Sequence, residues 1–237
     1  DIGPFRSRLV VGADWLYETD RRESTSVSAF GTFNTDASNR RYIASGYLQE
    51  ELEVLKGLLV SGGVRYDAAH YRTRDYISNN DSREHFQQWS PKAAVTYRVL
   101  EPVSVYFSYA RGLRFPNFDE LYPVFGAPNA QTLEPERSSS YEFGAKWRVK
   151  QVQAGLALYW MDVDDEMLYD PVLFQNENID RVRHRGVELQ ARYRAFEWVE
   201  LYASYTYDNT EIRDYARDPA LRGKQLPVTP ENRGTVG

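Results

Sequence analysis

Cysteine is absent from this 237-residue chain, which removes disulfide scaffolds and thiolate metal sites. Histidine is nearly absent, and His70, His85 and His184 show no HxxxH or HExxH spacing for zinc. No stretch reaches the ~18 consecutive apolar residues of a membrane-crossing helix. Basic excess is lacking as well. The chain has 29 Lys+Arg against 34 Asp+Glu, a net charge of -5, so the basic footprint of a nucleic-acid binder is missing. There is no GxSxG elbow, no triad spacing and no phosphate loop, so neither an enzyme nor a cofactor is expected. The opening, with Asp1 leading into Pro4 and Arg6, lacks the basic-then-apolar pattern of a secretory signal.

Aromatic residues are what the chain has in excess: 18 Tyr, 11 Phe and 5 Trp, or 14% of the chain. Extracellular β-propellers and membrane barrels with aromatic girdles are the two common sources of such a composition.

Period-two alternation dominates the pattern. In 197–208, Val199, Leu201, Ala203, Tyr205 and Tyr207 share one face, and Glu200, Tyr202, Ser204, Thr206 and Asp208 the other. The same alternation runs through 9–17, 92–99, 103–109, 141–149, 152–160 and 187–194, and less cleanly through 41–53 and 57–72, where Glu50 interrupts an apolar face. The pattern predicts about ten strands. Short turns fall near 54–57, 99–102, 149–151 and 194–197, and long polar connections near 20–40, 73–84, 112–136, 167–181 and 211–230. Short and long take turns, as in an up-and-down barrel with all its short turns at one rim.

The aromatics support that reading. Trp147, Tyr97, Tyr193 and Trp198 lie beside short turns, and Trp15, Tyr17, Tyr109, Trp160, Tyr205 and Tyr207 near the long connections. From Trp198 to Tyr207, at ~3.3 Å per residue and a ~40° tilt, the height is roughly 23 Å, close to the apolar band of an outer-membrane barrel. A sandwich or propeller core is the competing reading. The charged faces of the strands then predict a wet lumen or one filled by a polar plug.

The segment 104–148 resembles the TonB-dependent outer-membrane receptor family. The matching pieces are Tyr109-Ala110-Arg111-Gly112, Arg114-Phe115-Pro116, Glu120-Leu121-Tyr122, Leu133-Glu134-Pro135-Glu136 and Tyr141-Glu142-Phe143-Gly144. Downstream come Tyr159 through Glu166, Asn178, Arg185-Gly186-Val187-Glu188, Tyr205-Thr206-Tyr207 and Leu226-Pro227-Val228-Thr229-Pro230. Upstream, Gly63-Val64-Arg65-Tyr66-Asp67 and Ser90-Pro91-Lys92 also match. Pro116 and Pro135 read as strand exits, Pro227 and Pro230 as flanking the return into the last strand, and Gly186 as a strand start close to another backbone.

The resemblance implies an all-β, antiparallel up-and-down transmembrane barrel of about 22 strands with a plug inside. Residues 1–237 would form only part of that barrel, with the plug and the final strands lying outside the chain. It also implies energised uptake of a scarce ligand, a ferric siderophore first, with cobalamin or haem as alternatives. A passive porin is the alternative of another class. The implied partners are the TonB–ExbB–ExbD motor, acting through the plug, and outer-membrane lipid and lipopolysaccharide; a monomer in the outer membrane of a Gram-negative bacterium is expected. Anionic, aromatic ligands suit Arg and Tyr, so Arg111, Arg114, Tyr122, Phe125, Tyr169, Arg181 and Arg183 are the candidate ligand-binding residues. The run Asp162, Asp164, Asp165 and Glu166 has the oxygen ligands calcium requires, but reads first as a solvated loop base. The stretch 112–136 holds no His, which lowers haem.

Overall fold

The computed structural model describes residues 6–28, 31–77, 79–121, 133–171, 175–227 and 229–237. They form one ten-stranded sheet in which every strand pairs antiparallel with its sequence neighbours. The strands are β1 (Arg6–Ser28), β2 (Gly31–Leu55), β3 (Leu58–Asp75), β4 (Asn80–Leu100), β5 (Val103–Arg114), β6 (Glu136–Val149), β7 (Val152–Asp170), β8 (Gln175–Phe196), β9 (Val199–Asp214) and β10 (Asn232–Val236). One helical turn, α1 (Phe118–Leu121), lies between β5 and β6, and a 3-10 turn (Pro219–Leu221) between β9 and β10. Among the described residues no helix is long and apolar enough to cross a membrane.

Alternation sorts the side chains into two faces. Leu9, Val11 and Trp15 on β1, Phe107 on β5, Phe143 on β6, Leu158 on β7 and Leu189 on β8 are exposed on one, here the outer face. Glu18, Arg41, Asp67, Gln88 and Glu142 lie on the other, the inner face. Among the described residues no second layer covers the outer face, so the alternating apolar residues do not build a sandwich core. Two aromatic bands mark this face. The upper includes Tyr17 stacked on Tyr42 with centroids 4.7 Å apart, and Tyr109 beside Tyr141 at 5.1 Å. The lower includes Phe196 stacked on Trp198 at 5.6 Å.

In three of the five long connections, most of the described residues prove to be strand. β1 and β2, 23 and 25 residues long, pair without interruption from Arg6↔Glu53 to Ser28↔Gly31. That is more than twice the ~9–11 residues of a tilted crossing. Pairing likewise reaches Asp75↔Asn80 and Asp170↔Gln175. These stretches look like loops because a strand wetted on both faces loses its apolar alternation. Irregular connections remain between β5 and β6 and between β9 and β10; of their described residues, Phe115, Phe118 and Leu121 of the first and Tyr215 and Leu226 of the second pack onto the inner face.

The only buried apolar clusters among the described residues form there. Phe118 of α1 packs on Ala69 and Tyr71, with Ile43, Phe86, Phe115 and Leu121 around them. On the far side, Tyr215 and Leu226 of the β9–β10 connection pack on Ile179, Val182 and Ile212. Pro116 and Pro135 stand just outside the ends of β5 and β6, as strand exits should. Gly186 differs from expectation. It sits in the middle of β8, not at a start, yet the close approach is real: a Cβ there would lie 2.0 Å from the Tyr207 carbonyl oxygen and 2.6 Å from the Tyr159 hydroxyl. Tyr159 covering Gly186 is one of a set, with Tyr47 over Gly12 and Tyr106 over Gly144. An inner-face tyrosine thus covers a glycine on the adjacent strand, replacing the packing that the glycine lacks.

Candidate functional site at the inner face

The β4–β5 ladder runs only from Leu100↔Val103 to Lys92↔Ala110, while β5 continues beside β6 to Arg114↔Glu136. Above Lys92 the sheet therefore splits, and the freed end of β5 leans over the inner face. A cleft of about 420 Å³ opens at the split, lined by Asp14, Ser45, Arg65, Asp67, Ser90 and Arg111 among others. A second, of about 320 Å³, shares Arg65, Ser90 and Arg111 and adds Lys92. Arg65 donates to Asp14 at 2.7 Å and to Asp67 at 2.9 Å, and Ser45 donates to Asp67 at 2.6 Å. On β4, Ser90 Oγ and Gln88 Nε2 are buried without a hydrogen-bond partner among the described residues. A buried polar atom left so costs about 1–3 kcal/mol, which favours a polar occupant against this wall.

Above the cleft, Arg41 anchors the β5–β6 connection. Its guanidinium donates to the Pro116 carbonyl at 3.0 Å and the Tyr71 hydroxyl at 3.2 Å, and pairs with Glu18. Tyr71 donates to the same carbonyl at 2.9 Å, and burial pushes its phenol above the ordinary range. Arg41 also lies over the Phe118 ring, 5.4 Å from its centroid, and Arg22 pairs with Asp119.

The family-like motifs converge at one corner. Asn117 and Glu120 close a capping box, each backbone N–H reaching the other's side chain at 2.8 Å. Arg114 donates to Glu136 at 2.7 and 2.5 Å and to Glu120 at 2.6 Å. Glu136 also accepts from the Met167 backbone at 2.8 Å. Asn178 donates to the Glu134 carbonyl at 3.0 Å and the Asp165 carbonyl at 2.6 Å, and accepts from the Glu134 N–H at 2.9 Å. Asp165 has a left-handed φ of 61°, and Asn178 holds that bend to the start of β6.

The candidate residues thus part company. Arg111 lines the cleft from the freed edge of β5. Arg114 stands at its rim between two carboxylates. Tyr169 is exposed near the top of β7, opposite Asn176. Tyr122 and Phe125 lie outside the described residues. Arg183 sits on the outer face over the Trp160 ring at 4.3 Å, bound to Asp162 at 2.7 and 3.2 Å, and Arg181 binds Asp164 at 2.8 Å. Both are off the inner wall that the cleft occupies.

The acidic run is dispersed in the same way. Asp162 faces Arg183, Asp164 faces Arg181, Asp165 faces Arg137 at 2.8 Å, and Glu166 faces His184 at 2.9 Å on the inner side. Alternation and the bend at Asp165 aim these carboxylates apart, and the described residues contain no cluster of three or more His, Asp or Glu suited to a metal. Sequence reading missed Arg41, Tyr71, Arg65, Asp67 and Ser90 as a group. The available signal was polar residues recurring in the inner phase of β2, β3 and β4.

Comparison with known proteins agrees with this architecture. The chain is 26% identical over 257 aligned positions to the ferrioxamine B receptor of Salmonella typhimurium (strain SL1344), covering all of this chain and 35% of that protein. It is 23% identical over 201 positions to the ferrichrome outer membrane transporter/phage receptor of Escherichia coli (strain K12), covering 84% of this chain and 25% of the relative. The siderophore receptor PiuA from Acinetobacter baumannii superposes with a TM-score of 0.80 at 17% identity, over the whole chain and 41% of that structure. The chain therefore spans between a quarter and two fifths of the length of these proteins. The family model described as "TonB dependent receptor-like, beta-barrel" matches residues 1–237. The sheet is thus part of a barrel wall, and the chain belongs to the TonB-dependent receptor family of the Gram-negative outer membrane.

Proposed function

We propose that this chain supplies part of the barrel of a receptor that takes up a ferric siderophore across the outer membrane. The energy would come from the TonB–ExbB–ExbD motor acting through a plug. The long-connection rim faces the outside, and the short turns face the periplasm. The observation that carries the reading is the polar inner cleft at the β4–β5 split, where Arg111 and Lys92 line the wall beside a Ser90 hydroxyl that has no partner among the described residues, and Arg65 is held between Asp14 and Asp67. Guanidinium and ammonium groups suit the negative oxygens of an iron chelate, and the named relatives are a ferrioxamine B receptor and a ferrichrome transporter.

Within this reading Arg111 is the first ligand-contacting candidate and Tyr169, near the top of β7, the second; Tyr122 and Phe125, outside the described residues, remain candidates. Arg114 positions the β5–β6 connection, and Arg181 and Arg183 belong to the outer wall. The test is uptake of labelled iron chelates and labelled cobalamin by cells lacking the receptor and complemented with wild type or Arg111→Glu. Loss of chelate uptake alone supports the proposal; loss of cobalamin uptake alone overturns the ligand assignment. Inward folding of the β5–β6 connection is also what a porin's constriction loop would show. Steady ion conductance of the purified receptor in planar bilayers would favour that reading.

A further inference from the structure

His70 and His85 lie 15 residues apart in the chain and stand directly opposite each other on the outer face of β3 and β4. No local motif announces them; the register of the hairpin makes the pair. Both imidazoles are exposed. Their rings meet edge to face, with centroids 4.5 Å apart and planes at 83°. Nδ1 of one faces Nδ1 of the other at 2.5 Å, and neither ring has a carboxylate partner among the described residues. Two ring nitrogens so placed hold one proton or one cation between them, not two protons. The third histidine differs. His184 is buried, with Nε2 2.9 Å from Glu166 and Nδ1 3.8 Å from Asp208, so each of its nitrogens faces a carboxylate.

The surroundings of the pair are selective. Tyr42 stands opposite His70 in the same row, and the row above holds Arg40, Arg72 and Arg83 side by side. Asp81 takes Arg72 at 3.1 and 2.7 Å and lies 3.8 Å from Arg83, so this carboxylate serves arginine and not imidazole. Arginines oppose a hard cation held by charge on oxygen, whereas imidazole lone pairs bind borderline transition metals through coordinate bonds. On its other flank β4 pairs with β5 only up to Lys92↔Ala110, so among the described residues no strand is hydrogen-bonded to β4 beside His85. That open flank leaves room for water to complete a coordination shell.

We propose that His70 and His85 form a binding site for a divalent transition metal ion, copper(II) before nickel(II) or zinc(II), on the outer wall of the β3–β4 hairpin. The two Nδ1 atoms take adjacent positions and water oxygens the others, the tetragonal nitrogen–oxygen set that suits copper(II). Metal–nitrogen bonds of ~2.0–2.1 Å at adjacent positions place the nitrogens about 3 Å apart, roughly half an ångström wider than they stand here. Rotation of two exposed side chains supplies that opening. The bound ion ties β3 to β4 and stabilises the folded hairpin by mass action. The site lies on the opposite face of the sheet from the inner cleft, so it does not depend on which ligand the receptor takes up.

The test uses the full receptor, purified in detergent without a polyhistidine tag, with Cu²⁺ as probe and Ca²⁺ and Mg²⁺ for comparison. Electron paramagnetic resonance with one equivalent of Cu²⁺ is expected to show coupling to two imidazole nitrogens, falling to one in His70→Ala and in His85→Ala. A partner that only orients a metal ligand is worth 10–100-fold in affinity, so losing a ligand should weaken Cu²⁺ binding by about tenfold or more, and H70A/H85A further still. A hundredfold excess of Ca²⁺ or Mg²⁺ should not displace the copper. Folding is checked by heat-modifiable gel migration. If a variant does not fold, the wild-type receptor carries the test: Cu²⁺ should protect His70 and His85 from modification by diethyl pyrocarbonate, mapped by mass spectrometry. Copper binding unchanged in H70A/H85A, displacement by Ca²⁺ or Mg²⁺, or equal modification of the two histidines with and without Cu²⁺ overturns the proposal.

Discussion

The β1–β4 side and the β6–β9 side of the sheet solve the same problem by opposite means. Each extends its strands past the aromatic band, and each covers the inner face with an irregular connection. On the first side the cover is held by a cation: Arg41 joins Tyr71, Glu18 and the Pro116 carbonyl under Phe118. On the second it is held by aliphatic contact of Ile179, Val182 and Ile212 with Leu226 and Tyr215. Their outer faces differ too, one carrying arginines in excess and the other acid–base ladders. A scaffold of backbone hydrogen bonds tolerates both, because the ladder asks little of side chains that protrude beyond the hydrocarbon.

The largest expected difference lies in the aliphatic cover. Ile212→Ala removes packing at a site only 2% exposed and should cost about 2–4 kcal/mol. Limited proteolysis should then cut 215–227 while leaving 115–121 protected. Cleavage at both connections would show that the two covers are one unit.

Arg41→Met should act on the other side and less severely, by about 1–3 kcal/mol, since it removes one of the two donors to the Pro116 carbonyl and the ion-pair partner of Glu18. Hydrogen exchange should rise at 116–121 and stay unchanged at 215–227. A rise at both would erase the contrast.

The smallest effect is electrostatic and lies inside the acidic run. Hydrogen bonding to Arg183 lowers the Asp162 pKa below 3.8, whereas burial raises that of Asp165 above 3.8. For Asp162 the pairing contribution is present above the unfolded value and is lost as pH falls through the folded one. For Asp165 the sign is reversed: stability falls as pH rises from the unfolded value through the folded one. Denaturant midpoints from pH 2 to 7 should therefore show Asp162→Asn losing stability mainly at the upper end, by about 1 kcal/mol or less. Asp165→Asn should relieve the burial penalty at that same end. The same sign for both variants would contradict the separation of these carboxylates.

Strand order and phase were readable because lipid imposes a rule on every second residue. Where Leu156, Leu158 and Trp160 alternate with Gly155, Ala157 and Tyr159, no other period fits. The rule lapses above the aromatic band, so 20–40, 73–84 and 167–181 read as loops although they pair as strands. The inner site was harder to read. Arg114 and Arg181 are alike in sequence, each with acidic residues nearby, yet one stands at the cleft rim and the other on the outer wall. Asn178 was visible as a motif residue, but its bonds to Glu134 and Asp165 join positions 44 and 13 residues away.

By itself the sequence determined the order of the strands within the apolar band and which face meets hydrocarbon, since both follow from an alternation between neighbours one or two positions apart. Tertiary structure alone decided where β5 leaves β4, which connection covers which cluster, and which arginines keep a carboxylate. Those outcomes depend on contacts between residues far apart in the chain, and no local period encodes them.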